Sequence, residues 1–507
     1  MACALSLQAA AAAPPRAPTL ALQSYFQARA VLDEAVQASG GLQALQDLRS
    51  VRRELLDDWV DVGQGQHPWR GMPPADRLVA HDGFKDSEVL AFTDYAGRRF
   101  FQSEQYADSP AEYVVEINAA AADSGFQSIT YVAERPYRRD YSTAELTQQR
   151  TTQLRRYPEG LLRLALERPE TLAWLGRTRD DGAERDVITV TDATGTHLVL
   201  YFDAHTHLLT KAETLRAHPV AGDTRTETLY SDYRRVGALE LPYRIVDRVS
   251  GVPTHYWRVR VIELDASFPD ERFQAPQDGI AMEESPAEPT LQPLGDGLYL
   301  IRGNYNAMFA VFANYVLVVE TPAGASYVQK CLEFIRTTAP GKPIRYAVAS
   351  HFHYDHIAGV RTYVAEGIPI LTTGDAKGVI EQSLASVRTM HPDALSRKSA
   401  SAVIDVASGP KVFEDADQRA EIYDFGPTPH VGQLLVTYFP KAKLLFVADL
   451  FDVLTTDLVI AGVDGAAMAK KIDELGLDVE RIIPVHGVPA TMDDLRRGLA
   501  IRAKYVH

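Results

Sequence analysis

Six consecutive residues, His351-Phe-His353-Tyr-Asp355-His356, hold four side chains able to ligate a metal. They follow an apolar run, Tyr346-Ala-Val-Ala-Ser350, that reads as a strand. On an extended segment, side chains two apart point to one face. His351 and His353 can therefore grip one metal ion while the turn that follows carries Asp355 and His356 toward a second. Three further candidates lie downstream where a strand meets a loop: His430 in Gly426-Pro-Thr-Pro-His430, Asp449 closing Leu445-Phe-Val-Ala-Asp449, and His486 closing Ile482-Ile-Pro-Val-His486. Singly, such a histidine or aspartate is more often a cap or a surface group; with the first motif they complete a ligand set. Imidazole nitrogen and carboxylate oxygen suit two Zn²⁺ ions and are compatible with Fe or Mn. Such a pair of cations would bring a bridging water to hydroxide at neutral pH and polarise a substrate carbonyl or phosphoryl oxygen, with Asp355 orienting the hydroxide or carrying its proton.

Those residues need strand ends brought to one place. Downstream of residue 290, strands expected at 297–302, 308–320, 344–350, 434–439, 443–448 and 481–485 alternate with helices at 326–337, 375–387, 466–475 and 492–505. The HFHYDH run, the distant His430, the strand-terminal Asp449 and the PVHG segment around His486 together resemble the metallo-β-lactamase superfamily. The resemblance covers residues 291–507 and implies an αββα sandwich with metals at one edge of two sheets. Carried over by position, His351, His353 and His430 would hold one metal, Asp355, His356 and His486 the other, and Asp449 would bridge them. Two positions depart from the family pattern: Glu320 stands where an aspartate is usual, and Ala358-Gly359 replaces Gly-Gly. A carboxylate at 449 fits the glyoxalase II-like, lactonase-like and phosphodiesterase-like members and demotes β-lactam cleavage. The expectation is a hydrolase of an ester, thioester or lactone in a small-molecule substrate. The alternatives are phosphodiesterase, sulfatase or β-lactamase activity on the same centre, or a lipid-binding protein whose metal site is not catalytic.

Upstream the pattern changes. Helical spacing of Ala28, Val31, Leu32, Ala35 and Val36 is followed by a Gly40-Gly41 break, then by period-two strands at 187–190, 197–202, 208–215, 226–233, 241–246 and 256–264, interrupted by a helical stretch at 154–174. An opening helix ending in Gly-Gly before long alternating strands resembles the antiparallel β half-barrel of periplasmic lipoprotein-carrier-like domains. That resemblance covers residues 24–274 and implies a hollow for a lipid or acyl ligand; a scaffold sheet is the plainer reading. Residues 275–290, rich in proline and acids, read as a linker. The predicted architecture is thus a two-domain α+β chain, 24–274 and 291–507, behind a lead at 1–23.

Smaller features carry weaker expectations. Tyr354 and the Asn304-Tyr-Asn306 turn could donate to an oxyanion or simply pack. Residues 383–408 are long enough for a helical lid over the metals, or form a surface excursion that leaves His391 on the surface. His205-Thr-His207 copies the ligand spacing but sits at an expected hairpin turn without a third ligand nearby.

Composition bounds the rest. A chain of 507 residues with 46% hydrophobic and 23% charged side chains has the makings of more than one globular domain and is neither fibrous nor mainly disordered. Its 52 basic against 67 acidic residues give a net −15, which repels nucleic acid. Cys3 and Cys331 allow no disulfide framework, and no apolar run reaches the length of a membrane span. Residues 1–15, apolar and alanine-rich, resemble the latter half of a secretory signal without its basic start, so a periplasmic or secreted protein is expected, with a cytoplasmic one as the alternative.

Overall fold

The computed structural model describes residues 19–59, 63–68, 85–106, 114–121, 123–131, 134–286, 288–398 and 401–505. The signal-like stretch and Cys3 lie outside the described residues.

The N-terminal half is built on one sheet of fourteen strands, antiparallel except at one edge pair. Its first strand, Ser50–Trp59, pairs with its last long strand, Val252–Leu264, with Val51 opposite Leu264. The two ends of the domain therefore meet in the middle of the sheet. From that pair one meander runs outward through Lys85–Asp94 to Tyr137–Asp140, and the other through Leu239–Val249 to Ala173–Asp180. Alternating burial along His197–Asp203 shows why the sequence forms a sheet with one packed face. The sheet keeps two edges, and among the described residues it does not close into a barrel. The helix Leu20–Ala38 buries Ala28, Val31, Leu32, Ala35 and Val36 and stops at Gly40-Gly41. The interruption expected at 154–174 is instead two helices, Thr143–Leu154 and Pro158–Glu167. It opens earlier because Ser142 and Glu145 cap each other reciprocally, a polar signal that apolar spacing does not register.

One ion pair sits at the heart of this domain. Arg53, 1% exposed, donates to Glu159 Oε1 at 2.7 Å and stacks over the Tyr157 ring at 3.7 Å, while Tyr95 adds a hydroxyl donor to the same oxygen at 2.9 Å. Burying a charge of each sign is tolerated because the two charges balance each other, although Arg53 Nε and Glu159 Oε2 are left buried without hydrogen-bond partners.

The C-terminal half has two sheets, seven-stranded from Thr290–Gly295 to Ile404–Val406 and six-stranded from Lys411–Glu414 to Ala490–Thr491. The strands Val316–Val319, Leu435–Phe439 and Leu444–Ala448 are buried at every residue, as strands covered on both faces must be. Both sheets contribute to a single apolar core, flanked by the helices Ala325–Thr338, Gly374–Ala385, Val463–Leu475 and Met492–Arg502. No helix is long and apolar enough to cross a membrane among the described residues. Cys331 is buried in the first of these helices with a free thiol.

Of the two readings of residues 383–408, the helical lid is overturned. Past Ala385 the only helix before residue 399 is the single turn Ala394–Arg397, because the polar groups here bond to the N-terminal sheet. Arg388 donates to the carbonyls of His218, Pro219 and Val220 at 3.1, 2.7 and 3.0 Å, and Asp223 accepts from the Thr389 and Met390 amides. The segment is a seam between the halves. His391 is exposed on it, and the His205–His207 pair lies at a hairpin turn where His207 faces Glu34 at 3.3 Å.

Removing the Glu159 carboxylate strands the Arg53 guanidinium in a dry site, so Glu159→Ala should lower folding stability by about 3–5 kcal/mol. Denaturant unfolding of the two proteins measures the difference; a change below about 1 kcal/mol would mean the guanidinium finds water or another partner.

Candidate metal centre

The strand Ile344–Val348 lies inside the parallel part of the seven-stranded sheet, and the chain turns at Ser350 to present His351 and His353 before the short helix Tyr354–Ile357 delivers Asp355 and His356. From the other sheet, Asp449 follows Leu444–Ala448 and His486 follows Arg481–Pro484. His430 stands on the loop between Arg419–Asp424 and Leu435–Phe439. The site therefore straddles the edge of the two sheets, with its ligand-type residues past strand ends, on a short helix and on a loop. Part of that backbone is strained: Ala448 and Glu320 take positive φ values of 50° and 81°. Gly487, at φ 85°, has no such alternative, since a Cβ there would lie 2.0 Å from the Val453 carbonyl oxygen.

Among the described residues, ligand-type side chains meet in two groups: His351, His353, His430 and Asp449, and Asp355, His356, Asp449 and His486, each with its ligand atoms within 4.8 Å of one another. All seven residues singled out in the sequence are brought together, and Asp449 is common to both groups. His356 Nε2 and His430 Nε2 lie 2.8 and 3.2 Å from Asp449 Oδ2, His486 Nε2 lies 3.5 Å from Oδ1, and Asp355 Oδ2 lies 3.1 Å from His486 Nε2. His351 and His430 point Nε2 at Nε2 across 3.3 Å. His353 Nδ1 and Asp449 Oδ1 are buried with no hydrogen-bond partner. Lone pairs converging in a dry space, two of them orphaned, are what a bound cation satisfies, so the residues fit a metal pair.

A supporting layer holds these side chains. Ser350 Oγ lies 2.9 Å from His351 Nδ1 and 3.4 Å from His356 Nδ1, and the buried Glu320 carboxylate lies 3.3 Å from His356 Nδ1. With Glu320 beside Nδ1, a proton there leaves His356 Nε2 facing Asp449. Glu320 thus reaches the centre despite its departure from the family's aspartate. Asn306, fully buried, donates its amide to the carbonyls of Pro484 and Gly487 at 3.0 Å each and so clamps the His486 loop, while the Tyr305 ring packs edge-on against His486. Of the two sequence readings for the Asn304–Asn306 turn, the structure supports packing. Tyr354 packs as well, its ring edge-on to His218 of the N-terminal sheet. Gln64 and Gly65, which sequence reasoning missed, reach the centre from the N-terminal domain: Gln64 donates to Asp355 Oδ1, and His353 Nε2 donates to the Gly65 carbonyl at 2.9 Å. Glycines spaced around glutamines read as an ordinary turn, and nothing local marks them.

Electrostatics divide the ligands. Burial and the neighbouring His356 hold His351 neutral, and burial with His430 pushes His353 down to about 3. For His486 burial opposes charge, but the Asp355 hydrogen bond and Asp449 outweigh it and lift it to about 9. His356 and His430 are raised for the same reason, with Asp449 the chief opposing charge to burial. The Asp355 and Asp449 carboxylates fall below the usual range, since the surrounding imidazoliums outweigh their burial.

A cleft of about 550 Å³ opens between the two halves beside Phe352 and Tyr354, with Arg216, Thr224 and His255 on its N-terminal wall. It shares Arg216 and His255 with a second cavity of about 280 Å³ lined by Arg156 and Arg248. Charged groups thus line both cavities on the N-terminal side.

Residues 328–486 match the family model described as the metallo-β-lactamase superfamily, a span that contains all seven residues. The chain is similar to three solved structures: a metallo-β-lactamase from Pontibacter korlensis at 16% identity, covering 43% of this chain and 99% of that one with a TM-score of 0.34; a mono-zinc metallo-β-lactamase from Pseudomonas aeruginosa at 18%, covering 43% and 96% with 0.33; and one from Hirschia baltica at 18%, covering 42% and 98% with 0.32.

The His486 shift generates a pH dependence. Its ordinary value of 6.5 rises to about 9 in the metal-free fold, so the cation stabilises that fold fully below pH 6.5, and this contribution is lost as pH climbs through 9. A metal needs the neutral ring and must displace the proton. Apparent metal affinity should therefore rise roughly 20-fold between pH 7 and pH 8.5 from this group alone, with proton release on binding. Chelator competition across that range measures it; a flat profile would show that His486 is already neutral.

Proposed function

We propose, from a segment of the metallo-β-lactamase superfamily at residues 328–486, that this protein is a metal-dependent hydrolase. Its two divalent cations, Zn²⁺ by preference, are held by His351, His353 and His430 and by Asp355, His356 and His486, with Asp449 shared, and the bond cleaved is an ester, thioester or lactone. The observation that carries the reading is the sharing itself: two groups of ligand atoms meet on one buried carboxylate and leave orphaned lone pairs between them.

Bound metal at these residues supplies Lewis acidity toward a substrate oxygen and lowers the pKa of water to near neutrality. The protein's own groups do the positioning. Asp355, kept ionised by His356 and His486, has one oxygen engaged by Gln64 and the other turned toward the centre, where it can orient an attacking water and accept its proton. Glu320 and Ser350 hold the imidazoles behind it. The cavity that reaches the shared carboxylate, about 270 Å³ and lined by Asp449, Asp452, Phe451 and Tyr137, gives substrate its way in. A second reading, hydrolysis of a phosphodiester or sulfate ester, would draw on Arg216 and Arg248 of the N-terminal sheet, which line the cleft between the halves and its adjoining cavity.

Initial rates of the purified protein on ester, thioester, lactone, phosphodiester, sulfate-ester and β-lactam substrates, before and after metal removal, test the proposal and separate the two readings. A chelator-sensitive rate on one class, restored by Zn²⁺, is expected, and Asp355→Ala should lower it by on the order of 10²–10⁴-fold while the protein stays folded. Background rates on every class at full metal occupancy would overturn it.

A further inference from the structure

We propose that residues 63–67, carried on the N-terminal sheet, are a positioning part of the metal centre: the Gly65 carbonyl and the Gln64 amide select which atoms of His353 and Asp355 face the metals. The inference rests on the metal-binding reading above and adds to it a contribution from outside the matched segment.

The strap follows the central strand Ser50–Trp59 and crosses to the other half of the molecule. It makes main-chain bonds to both loops that carry ligands. The Tyr354 amide donates to Gly63 O at 3.0 Å, and the Gly432 amide, two residues past His430, donates to Gln66 O at 3.1 Å. Gln66 Nε2 adds a bond to Thr428 O at 3.3 Å. The strap thus ties the HFHYDH turn to the His430 loop.

Its two contacts with ligand side chains have a chemical direction. A carbonyl oxygen only accepts, so the 2.9 Å contact between His353 Nε2 and Gly65 O requires the proton on Nε2. The neutral ring then carries its lone pair on Nδ1, the atom that is buried without a partner, on a residue grouped with His351, His430 and Asp449. The Gln64 amide nitrogen only donates, so it occupies Asp355 Oδ1 and leaves Oδ2 toward His356 and His486. Outer contacts of this kind fix tautomer and orientation and raise ligand basicity.

The fit at the strap's start is close. Gly63 has φ +78°, and a Cβ there would lie 2.3 Å from the Tyr354 ring, whose edge-on neighbour at 5.1 Å is His218. Tyr354, inside the ligand motif, is thus one point of contact with the N-terminal domain.

The full-length protein is loaded with Zn²⁺ or Co²⁺ and titrated with a competing chelator, and the Co²⁺ absorption spectrum is recorded. Gln64→Leu removes the donor at similar size, Gly63→Ala lifts the strap from Tyr354, and Asp223→Ala cuts inter-domain bonds at the Thr389 seam as a control. The strap variants should each weaken metal binding about 10–100-fold and shift the Co²⁺ bands, while Asp223→Ala leaves both unchanged. If Gly63→Ala does not fold, Gln64→Leu carries the test. Wild-type affinity and spectrum in folded Gln64→Leu, or equal weakening in Asp223→Ala, would overturn the proposal by reducing the strap to inter-domain adhesive. A wild-type protein that takes up neither metal would instead overturn the metal-binding reading.

Discussion

The whole C-terminal half is organised around one carboxylate that cannot be satisfied by protein alone. Asp449 sits at the meeting of two sheets with one oxygen unpartnered and four imidazoles around it. Buried and ionised, it is tolerable only because those rings supply positive charge, as protons or through a shared cation. The strained Ala448 ahead of it, the Glu320 bend across from it and the side-chain-free Gly487 are the backbone concessions that let strand ends from both sheets crowd into one dry space.

The scaffold and the site make opposite demands. Fully buried strands give the sandwich its apolar drive, yet Val316–Val319 runs directly into Glu320 and Leu444–Ala448 into Asp449, so these polar groups stand at the rim of the core rather than within it. Support comes from groups whose hydrogen bonds have a fixed sense: the Asn306 amide on two carbonyls, the Glu320 carboxylate beside an imidazole, the Ser350 hydroxyl between two rings. A catalytic reading needs that stiffness, because a hydroxide or a substrate carbonyl must meet ligands already in place.

The ligands were legible in the sequence because strand ends announce themselves: an apolar run breaks into His-x-His-x-Asp-His, and later runs break into Asp449 and His486. The broad division into an antiparallel half and an alternating half was legible for the same reason, since periodicity of two and of 3.6 are different patterns. What escaped was long-range and polar. Gln64 and Asp355 are separated by 291 positions, and no local pattern pairs them. The segment after Ala385 stayed open between a lid and a surface excursion because its length was visible while the carbonyls that Arg388 finds on the other domain were not. The early start of the helix at Thr143 hung on a two-residue polar cap that a search for apolar spacing passes over.

The pairing of Ser50–Trp59 with Val252–Leu264 has a temporal consequence. The strand that leads into the strap cannot take its central place until its neighbour has left the ribosome, and the loops the strap binds lie later still, up to Gly432. Contacts of such wide separation form slowly and after local ones. The centre therefore matures last, once both halves have folded and docked, which keeps its cluster of histidines and carboxylates incompletely assembled while the chain is still nascent.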